Sequence, residues 1–106
     1  MLKKYYLMSD TNTTPIGVLT INNDSFSFER NNTYNGPLPF FITYSGGELS
    51  DSELIKLWIS ERVPEPHYMF IDALTERAGL TEYDPVGFFE YNKGVFNTDD
   101  FHIVPV

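Results

Sequence analysis

Cysteine is absent from the 106 residues, which excludes a disulfide framework and any thiolate metal site. No apolar run approaches the ~20 residues that span a bilayer, and Met1 to Met8 has no apolar stretch long enough for a signal peptide. Histidine occurs only at His67 and His102, too far apart for a helical metal-ligand pair. The glycines are scattered, so no phosphate-cradling G-x-G-x-x-G or Walker sequence exists, and neither does a kinase catalytic loop or Asp-Phe-Gly. Basic residues are also scarce, seven against fifteen acids, for a formal charge of −8. These absences predict a cytoplasmic chain without metal, cofactor or enzymatic activity of its own.

The charge is unevenly placed. In residues 1–47, Asp10, Asp24 and Glu29 are balanced by Lys3, Lys4 and Arg30, so the whole excess lies in 48–106. An acidic half disfavours direct binding to nucleic acid or anionic membrane and suits a basic protein partner. A solubilising acidic face is the plainer reading. Aromatic residues make up 16% of the chain, with nine Phe and seven Tyr, enough to fill a single small core or to line a contact surface. Asn12-Thr13-Thr14, Asn23-Asp24-Ser25 and Asn31-Asn32-Thr33 match the glycosylation sequon but read as Asn-rich turns.

The first third predicts antiparallel strands. Tyr5 to Met8 is the first, Asp10 to Pro15 a polar turn, and Ile16 to Ile21 the second, closed by Asn22-Asn23-Asp24. Ser25 to Glu29 alternates with period two and puts Phe26 and Phe28 on one face. Pro37 to Tyr44 reads as an extended buried segment, broken by Gly46-Gly47.

The second half predicts three helices. Ser50 to Glu53 forms a capping box, and Leu54, Ile55, Leu57, Trp58 and Ile59 give an apolar arc that Pro64 terminates. Glu65-Pro66 reads as the next start, with Phe70, Ile71, Leu74 and Ala78 as its stripe, His67 partly buried beside it, and Gly79-Leu80 as a Schellman ending. Asp84-Pro85 opens the third helix, through Lys93, ended by Gly94 with Val95 as its apolar contact. His102 to Val104 is a last strand returning to the sheet. The fold class is α+β, one domain over residues 1–106, with a small antiparallel sheet of three to five strands and about three short helices.

Candidate chemistry is thin. Asp99-Asp100 is a weak calcium candidate and reads first as a solvated pair, while the helical glutamates read as exposed charges. A binding edge is better supported over Trp58 to Met69. It holds Trp58, Glu61, Arg62, Glu65, Tyr68 and Met69 around the rigid Pro64-Glu65-Pro66. For Trp58 two readings stand, a core ring or a protruding anchor.

The order of several short motifs resembles the N-terminal subdomain of HipA-type serine/threonine kinases. They are Ile16-Gly17-Val18-Leu19-Thr20, Phe26-Ser27-Phe28, Pro37-Leu38, a helix ending at Val63-Pro64, Asp84-Pro85 leading to Phe88-Phe89, then Gly94 and Ile103-Val104-Pro105. The family's Asn-Leu-Leu-Pro reads Glu61-Arg62-Val63-Pro64 here, and its Gly-Ala-Val stretch is replaced by Asn97 to Asp100. The resemblance implies a stand-alone HipS-like antitoxin that docks on and restrains a HipA-like kinase, beside a DNA-binding antitoxin, in a bacterial or phage toxin–antitoxin system. The charge distribution supports a different expectation, an acidic DNA mimic that inhibits a nucleic-acid-binding protein.

Overall fold

The computed structural model describes residues 2–43 and 51–106, with the Asp51 side chain left out. Four strands and four helices follow in the order β1 (Leu2–Ser9), β2 (Gly17–Asn22), β3 (Ser25–Arg30), α1 (Phe40–Thr43), α2 (Asp51–Ser60), α3 (Ile71–Arg77), α4 (Pro85–Tyr91) and β4 (Phe101–Pro105). The strands form one antiparallel sheet in the order β3-β2-β1-β4. This is the α+β architecture the sequence predicts. Among the described residues no helix is long and apolar enough to cross a membrane.

Alternation sets the sheet's two faces. Tyr5, Leu7, Leu19, Ile21, Phe26 and Ile103 are buried on one side, with Phe28 and Phe101 partly buried against them. The β2–β3 turn places Asn23 in the left-handed region at φ 57°, a conformation asparagine tolerates better than most residues. The other Asn segments are turns as well. Thr14 N–H donates to Asn12 Oδ1 at 2.9 Å, and Thr33 donates to Asn31 Oδ1 through its N–H at 3.2 Å and its hydroxyl at 2.8 Å.

Rings run through the core in a line. Phe28 meets Phe41 at 5.2 Å between centroids, Phe41 meets Trp58 at 5.3 Å, and Trp58 meets Phe89 at 5.8 Å, each edge to face. The chain of contacts links β3, α1, α2 and α4, so one aromatic per element orients the helical layer on the sheet. On α2, Leu54, Ile55, Trp58 and Ile59 are buried, the i, i+1, i+4, i+5 pattern of an amphipathic helix. Leu57 falls outside that arc and is exposed.

Several local expectations are corrected. The segment after Pro37 is not wholly extended: Phe40–Thr43 turns into α1, with Ile42 and Thr43 N–H donating to Pro39 O. A run of adjacent apolar residues carries no period that separates a short strand from a helical turn. Pro66 does not open a helix; successive turns, Tyr68 N–H to Glu65 O and Ile71 N–H to Tyr68 O, carry the chain to α3 at Ile71. Proline is permitted in a first helical turn but equally fits a turn. His67 is accordingly exposed in that turn rather than packed on a helix. Tyr44, Gly46-Gly47 and Ser50 of the expected capping box lie outside the described residues.

The helix ends follow the sequence closely. Gly79, at φ 75°, donates to Glu76 O while Leu80 N–H reaches Thr75 O, the paired bonds of a Schellman ending. Asp84 caps α4 by accepting from Val86 N–H at 3.1 Å, with Pro85 at the first helical position. The helix ends at Tyr91, two residues before the expected end at Lys93. Lys93 takes the left-handed position at φ 56°, its N–H donating to Glu90 O, and Gly94 follows at φ 69° with its N–H on Phe89 O. Val95, expected to supply the apolar contact of this ending, is 53% exposed.

Candidate partner-binding surface

The segment that follows α2 divides into an inward half and an outward half. Trp58 is 2% exposed and Arg62 5% exposed, so both are interior residues. Trp58 is the core ring of the two readings, not a protruding anchor, because the Phe41 and Phe89 rings pack edge to face against it within the core cluster. Arg62 lies one turn further along the chain, with its guanidinium carbon 4.2 Å from the Trp58 ring centroid.

Arg62 is almost fully satisfied. Its Nη1 and Nη2 donate to the two carboxylate oxygens of Asp99 at 2.7 and 2.5 Å. Its Nε donates to Gly94 O at 2.6 Å, and Nη2 also reaches Phe101 O at 3.2 Å. A buried guanidinium needs this density of acceptors to offset lost hydration. Partial burial pushes the Asp99 carboxyl up. The hydrogen bonds from Arg62 and Phe101 N–H, with the Arg62 charge, outweigh that and hold it below the usual carboxylate range. Asp99 is therefore a structural partner of Arg62, not half of a solvated acidic pair. Among the described residues no group of three or more His, Asp or Glu side chains is placed to hold a metal ion.

The outward half begins beyond Val63. Tyr83 hydroxyl donates to Pro64 O at 2.7 Å and pins this segment to the loop before α4. Burial, then the nearby charges of Asp84 and Glu65, raise the Tyr83 phenol above its ordinary value, so it stays a neutral donor. From this anchor the chain projects Tyr68, Met69 and Phe70, which are 48%, 83% and 58% exposed. The Tyr68 and Phe70 rings meet edge to face at 5.8 Å, with Met69 between them in sequence. Glu61, Glu65 and Asp72 are exposed along the same stretch.

Of the six residues the sequence singles out, Glu61, Glu65, Tyr68 and Met69 are exposed while Trp58 and Arg62 are buried. Phe70 belongs to the surface group and was assigned to a helix stripe by the Pro66 reading. Pro64 and Pro66, four and two residues ahead of the unbroken Tyr68-Met69-Phe70 run, are the signal that points to it. Asp99 carries no local signal, being 37 residues from Arg62. No protein-family model matches the chain, and neither a curated protein nor a solved structure matches it.

Proposed function

We propose that this chain is a non-enzymatic protein-binding module of the HipS-like kind, which docks on a HipA-like kinase and restrains it. The single observation that carries the docking role is the exposed Tyr68-Met69-Phe70 group on a turn stiffened by Pro64 and Pro66. Water-exposed large apolar side chains held together cost solvation and mark contact sites more often than chance. The supply of Tyr and Phe, with the adaptable Met, matches the composition of interface anchors. Surrounding acids suit an apolar slot rimmed by basic residues on the kinase. The motif order from Ile16 to Pro105 is what directs the choice of partner class.

Mixing the purified chain with a HipA-like kinase, should one be encoded beside it, tests this reading. A stable complex with lost kinase phosphorylation is expected; two separate species with undiminished phosphorylation reject it. The DNA-mimic reading rests on a different observation, the exposure of Glu61, Glu65, Asp72, Glu76, Glu82, Asp84 and Asp100 on the acidic half. Binding by that route weakens steeply with salt and competes with DNA. Binding through an apolar anchor changes little.

A further inference from the structure

The two edges of the sheet are treated differently. On β4, Val106 N–H donates to Lys4 O, so by two-residue alternation the Phe101, Ile103 and Pro105 positions face away from β1. Each is closed. Phe101 N–H donates to Asp99 Oδ1 at 3.1 Å, Ile103 N–H donates to Lys93 O at 2.8 Å, and Pro105 has no N–H. Blocking every outward donor is how proteins prevent a sheet edge from recruiting another strand.

Among the described residues the β3 edge is left open beyond Phe26. Asn31 N–H donates to Ile16 O, so Ser25, Ser27 and Glu29 face β2 while Phe26, Phe28 and Arg30 face outward. Phe26 N–H is taken by Ser52 Oγ of α2 at 3.2 Å. Among the described residues the N–H groups of Phe28 and Arg30 have no acceptor. These two positions, with their carbonyls, form one complete antiparallel pairing window. Beside it lies a cleft of about 500 Å³ lined by Glu29, Arg30, Val18, Tyr6 and the 31–33 loop.

We infer that the Phe28–Arg30 edge accepts an extended, basic segment of a partner protein as a fifth strand. A second copy of this chain fits poorly. Pairing centred on residue 29 sets Glu29 against its own copy, and like charges directly opposite destabilise a ladder. Pairing centred on residue 28 needs Phe26 N–H, which Ser52 already holds. A foreign strand avoids both. Its residue opposite Glu29 projects to the outer face, where a Lys or Arg reaches the carboxylate while its stem covers Val18. This surface is separate from Tyr68-Met69-Phe70 and stands whether or not that group binds a kinase.

The test is amide exchange by NMR on the full chain, with a capped octapeptide of alternating Lys and Thr as probe and its Glu/Thr counterpart as control. In the free chain the Phe28 and Arg30 amides exchange quickly. The basic peptide slows both by about tenfold or more, and the acidic peptide leaves them unchanged. Glu29→Lys weakens the basic peptide by about threefold without lowering Tm, and Arg30→Pro, which removes an open donor, abolishes the protection. Slow exchange at Phe28 and Arg30 in the free chain, by self-association or by cover from its own residues, overturns the inference. So does peptide-induced change confined to the acidic helical half, or equal protection by both peptides.

Discussion

Arg62 and Asp99 form a two-pronged ion pair inside the molecule, with the Arg62 side chain 2% exposed and the Asp99 side chain 28% exposed. The pair joins the end of α2 to the segment entering β4, and the Arg62 Nε bond to Gly94 O ties in the end of α4 as well. Removing Asp99 leaves a guanidinium buried against Trp58 without its counter-charge. Asp99→Ala is expected to cost about 3 kcal/mol in chemical denaturation, and Asp99→Asn somewhat less. Because the folded carboxyl sits below its unfolded value, its contribution is complete above about pH 4 and is lost as pH falls further. An acid titration of stability should therefore be flatter in Asp99→Asn than in the parent.

Trp58 sits in the middle of the ring series from Phe28 to Phe89. Trp58→Ala is expected to lower stability by about 3–5 kcal/mol, measured by urea unfolding, through lost burial and the cavity left behind. Trp58→Phe keeps part of the ring contact and should fall about midway. A variant that folds as well as the parent yet loses partner binding would instead place Trp58 on the contact surface.

Much of this organisation is legible in the chain. Ser25 to Arg30 alternates cleanly because a half-buried strand must, and Gly79 and Asp84-Pro85 mark helix boundaries through backbone chemistry that needs no tertiary partner. What resists reading is set by contacts distant in sequence. Phe40-Phe41-Ile42 shows no period, and only packing of Phe41 between Phe28 and Trp58 fixes it as a helical turn. Arg62 resembles any surface arginine until Asp99 and Gly94 fold over it. The Tyr68-Met69-Phe70 surface was legible in part: Tyr68 and Met69 stand outside any stripe, whereas Phe70 fits one only if Pro66 begins a helix.

Gly17 is held to glycine by its neighbours. A Cβ built there would lie 2.2 Å from Glu29 O and 2.5 Å from the Phe28 ring, contacts the backbone cannot absorb without moving β3. Gly17→Ala is expected to cost about 1–3 kcal/mol by denaturant unfolding. Gly79→Ala meets no atom within 4 Å but is strained by its φ of 75°, and should cost about 1 kcal/mol.

Tyr5 hydroxyl donates to Glu90, whose carboxylate also takes both 3.0 Å bonds from Lys3 Nζ. Burial, then the hydrogen bond to Glu90 and its charge, raise the phenol well above its ordinary value. A raised folded value contributes fully below about pH 10 and is lost as pH climbs through it. Stability should therefore drop on alkaline titration, and Tyr5→Phe should drop less while starting about 1.5 kcal/mol lower at neutral pH.

Hydrogen exchange on the chain alone and with a HipA-like kinase, the proposed partner, tests the docking surface directly. The account predicts slowed exchange across residues 65–71, and its loss when Tyr68, Met69 and Phe70 are all replaced by Ser while Tm is kept. Unchanged exchange over 65–71 in a formed complex, or a complex indifferent to that triple replacement, would contradict it.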